Sequence, residues 1–427
     1  MSAGKDIFVY LDLQDFAAPL LIGILHSEVI RGKEVFSFSA DTKWLSHTEL
    51  YGIDPELLPF QGRQYPRDGK TNFGLLLDSA PDRWGRNLIK RREAIAAKQE
   101  KRPPRPLYES DFLFSVYDGS RMGALRLKRE PAGDFLDTGT ALSIPPWTSI
   151  RDLEYTSLQL ERDNATDTEY AKWLTMLVNP GSSLGGARPK ANVVDRNGQL
   201  WIAKFPSGSD EKDIGAWEQV ANALAAQCGI QTPETRAERF SSKQHTFLTR
   251  RFDRSASGRR IHVASAMTLL GEKDGADYTQ GISYLDVAGI ITRLSADVDA
   301  NLEELWRRMV FNIAISNCDD HLRNHGFLLT PSGWILSPVY DINPDENGTG
   351  LKLNISEDDN SLDFDAAMAV IPYFRLSSAK AKQILDTVKN AVSQWRRIAE
   401  TQGISRMEQE MVSPAFQRHV SLPSMSS

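Results

Sequence analysis

The residues best suited to chemistry lie between Ser316 and Asp341, in SNCDDHLRNHGFLLTPSGWILSPVYD. An acidic loop carries Asp319 and, five positions on, Asn324; a hairpin then leads to Asp341. Oxygen donors of this kind suit a hard divalent cation, which keeps the rest of its shell for water and phosphate oxygens. In that reading Asp319 orients an acceptor hydroxyl and takes its proton, while Asn324 and Asp341 ligate magnesium against a nucleotide triphosphate. The neighbouring Asp320 competes for the base role, and the spacing to Asn324 favours Asp319. Alone, Asp341 reads equally well as a turn residue before Ile342-Asn343-Pro344. His321 either shapes the loop by hydrogen bonding or serves as a ligand, and the lack of a cysteine partner favours the first role.

A second group lies upstream. In WIAKFP, strand alternation puts Trp201, Ala203 and Phe205 on one face and Ile202 and Lys204 on the other. A lysine there can meet the α- and β-phosphates of ATP; it can also be an edge-strand charge that deters aggregation. Glu218, at the margin of an amphipathic helix over Asp213–Cys228, is the best carboxylate to position it. Gly181–Lys190 opens a hairpin turned at Asn197-Gly198, and its glycines allow backbone N–H groups to approach phosphate. Gly185, Gly186 and Ala187 are the expected cover of the nucleotide. The segment lacks the Gly-Lys-Ser/Thr of a Walker A loop and leads into a strand rather than a helix.

The elements that must position these groups fall into three stretches. Residues 1–150 read as β-rich, with strands near Ile7–Leu13, Leu20–Leu25 and Val35–Phe38, and a helix near Trp84–Lys98 started by Pro81 and Asp82. The basic run Lys98–Pro106 reads as a solvated loop. Residues 151–270 hold the glycine-rich segment, Lys204 and further strands. Residues 271–427 turn helical: Leu302, Leu305, Trp306, Met309, Val310 and Ile313 form one apolar stripe, and a helix is expected over Ser378–Glu400. With 41% hydrophobic and 25% charged residues, the composition is that of a globular protein. A net charge of −6 argues against wholesale electrostatic binding to nucleic acid. Two cysteines supply neither a disulfide framework nor a cysteine zinc site. The opening MSAGKDIFVYLDLQDF meets charges too early for a signal peptide, and no apolar run approaches the roughly 20 residues of a membrane span. A cytoplasmic location with no membrane contact is expected.

Taken together, LDSAPDRWGR, SSLGGARPK, WIAKFP, RRFDR, DDHLRNHGF and PVYDI resemble the bacterial HipA-type serine/threonine kinase toxins over most of the chain. The resemblance implies an α+β, two-lobed protein-kinase-like fold with an N-terminal β-rich subdomain. It implies ATP and Mg2+ as cofactors, Asp319 as base, Asn324 and Asp341 as magnesium ligands, and Lys204 at ATP. Glu218 and His321 join the nucleotide group. Ser183, directly before Leu-Gly-Gly, matches the family's autophosphorylated serine, and a dianion there would repel the phosphates it once covered. A helix-turn-helix antitoxin would carry the chain to operator DNA, and the host substrate would be a translation protein such as an aminoacyl-tRNA synthetase. Arg188 stands where well-studied members have Gln, and the adenine-side segment near Met267–Leu269 also departs from them. A small-molecule kinase and a non-catalytic co-repressor are the competing readings.

Overall fold

The computed structural model describes residues 4–47, 52–67, 69–136, 144–162, 169, 173–174, 176–177, 186 and 188–417. The chain forms two compact units, residues 1–209 with 239–273 and residues 210–238 with 274–427.

The first unit begins with a five-stranded antiparallel sheet, in the order Arg63–Gln64, Lys33–Ala40, Leu20–Ile30, Lys5–Leu11, Leu125–Lys128. Its two longest strands join at Arg31-Gly32, with φ of 51° and 79°, so that Ile30 pairs with Lys33. Positive φ at both turn residues matches the right-handed twist of the flanking strands, and glycine adopts it without steric cost. Period-two alternation buries Ile7, Val9 and Leu11 on one face.

Helix Arg83–Gln99 follows, capped by Asp82, whose Oδ1 accepts the Gly85 N–H at 2.8 Å. Its Trp84, Leu88 and Ile89 enter one core with Ile150, Leu153 and Leu160 of helix Ile150–Arg162. Ala191 and Val193 of strand Lys190–Val194, Trp201 and Ala203 of Leu200–Lys204, and Leu248 of Thr246–Arg250 complete it. Residues on both sides of position 150 therefore share a single apolar interior. The basic run after helix Arg83–Gln99 is an exposed loop, as expected, and carries surface ion pairs of Arg102 with Glu93 and Glu100 and of Arg105 with Asp111.

In the second unit, helix Ile214–Gln227 starts at Asp213, which accepts the Ala216 N–H, and ends at Cys228 before Gly229. Helix Val298–Ala314 buries all six residues of the expected stripe and packs on Tyr284–Leu294, Phe364–Ala369 and Ser378–Val392. The helix expected over Ser378–Glu400 is two helices, Ser378–Val392 and Trp395–Thr401, broken at Ser393-Gln394. The break lets the Trp395 ring stack on Phe416 at 4.5 Å and approach Trp217 at 6.0 Å. Among the described residues no helix is long and apolar enough to cross a membrane.

One buried acid in the first unit makes stability depend on pH. Asp54 accepts the Leu75 and Glu56 N–H groups, yet burial raises its pKa to about 6. Because the folded value lies above the unfolded one, the stability it contributes is present at low pH and is lost as pH rises through 6. Urea unfolding at pH 5 and pH 7.5 should place about 1 kcal/mol of the difference in this group. That increment should vanish in Asp54→Asn, whatever the variant's absolute stability.

Candidate active site

Helix Val298–Ala314 delivers the chain into the acidic loop, and Ser316 turns it with φ of 50°. Asp319 and Asp320 then part company. Asp320 is buried, and its Oδ2 accepts the Tyr284 hydroxyl at 2.5 Å and Asn312 Nδ2 at 2.6 Å, with His325 Nε2 at 2.9 Å. Burial alone would raise the Asp320 carboxyl; the facing His325 and the bonds from His325 and Tyr284 outweigh it and hold the group below the usual range. Tyr284 responds in the opposite direction, raised well above its ordinary value by burial and by the Asp320 charge. Asp320 is thus the internal anchor of the loop.

Asp319, by contrast, is exposed. Its main-chain oxygen accepts the His321 N–H at 2.9 Å and Asn324 Nδ2 at 3.0 Å. Partial burial of its carboxyl is the leading cause of a raised pKa; His321 pulls it down and the Asp341 charge pushes it up. The Asp341 effect means that the two carboxylates lie close enough to feel each other.

Asn324 ends a short 3-10 turn, Leu322–Asn324, and is only 4% exposed. With Nδ2 donated to Asp319, its Oδ1 is buried and accepts no hydrogen bond. A buried carbonyl oxygen without a donor is costly, and a hard cation is the partner that suits it. This carboxamide therefore fits a magnesium ligand. No cluster of three or more His, Cys, Asp or Glu side chains able to hold a metal occurs among the described residues. Magnesium does not require one, since one or two carboxylates with phosphate and water oxygens suffice.

The hairpin Gly326–Thr330 and Gly333–Leu336 carries the chain back toward the loop. Tyr340 then donates its hydroxyl to the Arg323 carbonyl at 2.6 Å, tying the residue before Asp341 to the residue before Asn324. Gly326 permits this closure: a Cβ there would lie 2.7 Å from Ser337 Oγ and 3.1 Å from the Tyr340 hydroxyl. Asp341 itself is left-handed, with φ of 57°, a conformation that Asp and Asn tolerate better than most side chains. His321 immediately precedes the 3-10 turn without a side-chain capping bond, and its Nδ1 is buried without a hydrogen bond.

The other expected residues lie on the following elements. Glu218 is buried on helix Ile214–Gln227 of the second unit. In the first unit, Lys204 ends strand Leu200–Lys204, 9% exposed, with its ammonium 5.7 Å from the Phe247 ring centre. Gly186 is left-handed at φ 74°, and Arg188 donates to the Phe205 carbonyl. Met267–Leu269 lies in the buried helix Ala266–Leu270. Ser183, Gly185 and Ala187 lie outside the described residues. Sequence reasoning missed the anchor role of Asp320 and its partners Tyr284 and Asn312.

With this geometry in hand, the HipA-like C-terminal domain family matches residues 182–395, half of the chain, and the protein belongs to that family. Its fold is of the α+β HipA type: the HipA toxin of Shewanella oneidensis MR-1, solved with HipB and operator DNA, superposes with a TM-score of 0.65 at 16% identity. That match covers 96% of this chain and 94% of the other. Among curated relatives, a Haemophilus influenzae protein named "Putative kinase" is 26% identical over 38% of this chain and 52% of its own length. "Putative kinase Y4mE" of Sinorhizobium fredii is 27% identical over 38% of this chain and 41% of its own. The chain thus spans about half the length of the curated relatives it matches.

The two adjacent aspartates should separate experimentally. Asp320→Ala strands the Tyr284 hydroxyl, the Asn312 amide and His325, and should cost about 2–4 kcal/mol in urea unfolding. Asp319→Asn should stay within about 0.5 kcal/mol of the parent in the same measurement.

Proposed function

We propose that this chain is an ATP- and magnesium-dependent serine/threonine protein kinase and the toxin of a type II toxin–antitoxin module. The observation that carries the reading is the closure of the acidic loop on the post-hairpin strand. In support of it, the Asn324 amide closes on the Asp319 carbonyl, its Oδ1 accepts no hydrogen bond, and the Tyr340 hydroxyl ties the segment before the left-handed Asp341 to Arg323.

In this reading Asp319 orients the acceptor hydroxyl and receives its proton as the γ-phosphoryl group leaves ATP. Asn324 and Asp341 would hold magnesium, which when bound offsets the charge on the phosphate oxygens. Lys204 and Glu218 are assigned to the nucleotide, with His321 shaping the loop beside it. Gly185, Gly186 and Ala187 cover the phosphates, and Ser183 takes the autophosphorylation. The stretches 1–150, 151–270 and 271–427 serve as accessory, nucleotide-binding and catalytic segments. The host substrate is a protein, for which an aminoacyl-tRNA synthetase is the leading candidate. The partner is a small helix-turn-helix antitoxin, through which the chain reaches operator DNA in the cytoplasm. The bound HipB and DNA of the Shewanella relative support that partner class.

Incubating the protein with γ-labelled ATP, magnesium and a cell lysate should label a protein band. Asp319→Asn should reduce the label at least about 100-fold while ATP affinity changes little. Asp341→Asn and chelation of magnesium should each abolish it. Label appearing only on added small alcohols would replace the proposal with a small-molecule kinase. ATP binding without transfer, together with operator binding beside a partner, would replace it with a co-repressor.

A further inference from the structure

We propose that Asp82 is a positioning residue for the nucleotide cover, acting through Lys190; the inference rests on the kinase reading above. Lys190 closes the glycine-rich segment and opens strand Lys190–Val194. Its ammonium is buried, 1% exposed, and lies 2.7 Å from Asp82 Oδ2, whose side chain is 5% exposed. The same ammonium lies 3.4 Å from the carbonyl oxygen of Gly186, inside the segment assigned to the phosphates. One buried cation thus ties the cover to a carboxylate 108 positions earlier in the chain.

Two further observations make this more than a local ion pair. Across the ladder Lys190 is the direct partner of Lys204, so the two side chains leave the sheet on the same face. Two like charges placed opposite one another repel, and Asp82 supplies the compensating charge at Lys190. The carboxylate is also immobile. Its Oδ1 caps helix Arg83–Gln99, whose Trp84 and Leu88 share the core of Ala191 and Ala203. Gly186 and Lys190 are therefore tied to a fixed point in the N-terminal stretch, and Lys190 is committed to that anchor, leaving the phosphate role to Lys204. Loss of the anchor weakens nucleotide binding and leaves the step at saturating ATP nearly intact.

The test uses the full chain with ATP and magnesium. Asp82→Asn combined with Lys190→Met removes both charges together and keeps an oxygen for the helix cap. Titration calorimetry should give a Kd for ATP with magnesium about tenfold weaker, while the labelling rate at saturating ATP stays within about threefold. Asp82→Glu in the chain that keeps Lys190 retains the charge pair and should keep most of the parental affinity. A folded double variant with parental affinity overturns the inference, as does an equal fall in affinity and saturated rate. If the double variant does not fold, lysine acetylation of the wild type decides. Lys190 inert with and without ATP supports the anchor, and ready labelling of Lys190 without nucleotide overturns it. Wild type that binds no ATP sinks the kinase reading itself, a result distinct from either.

Discussion

Everything at the candidate site depends on one buried carboxylate. Asp320 gathers a phenol, a carboxamide and an imidazole from three segments, and two hydrogen bonds together with the facing His325 offset the cost of its burial. Fixing this side chain fixes the peptide on either side. One neighbour is Asp319, turned outward; four residues on is Asn324, its amide hydrogen-bonded back to the Asp319 carbonyl. The loop gains precision because its anchor lies inside the protein while Asp319 faces outward.

A second restraint comes from the hairpin. A phenol at Tyr340 meeting a carbonyl at Arg323 brings two separate stretches into register, and the tight contact at Gly326 leaves little slack. The Asp341 charge is one of the causes that raise the Asp319 carboxyl, after partial burial. The Tyr340 bond, the buried Asp320 and the orphaned oxygen of Asn324 thus describe one arrangement from three sides.

Much of this was legible in the sequence where the determinants are local. Asp82 and Asp213 each precede a helix they cap, the stripe from Leu302 to Ile313 has helical period, and Asn197-Gly198 marks its hairpin. The five-residue spacing from Asp319 to Asn324 corresponds to a loop that the Asn324 amide closes onto the Asp319 carbonyl. What the sequence hid is long-range. Tyr284 and Asn312 give no hint that they serve Asp320, and Asp82 and Lys190 are far apart in the chain. The break at Ser393-Gln394 has neither proline nor glycine to announce it; it follows from aromatic packing of Trp395 on Phe416 and Trp217.

The left-handed backbone at Asp341 has an evolutionary consequence. Aspartate, asparagine and glycine are the residues that occupy such a dihedral at least cost. Both asparagine and glycine are one nucleotide away from aspartate in the genetic code. A lineage relieved of selection for the acid can therefore lose it by a single step with little damage to folding. Changes at that codon thus alter the charge of the segment while the dihedral that shapes it is kept.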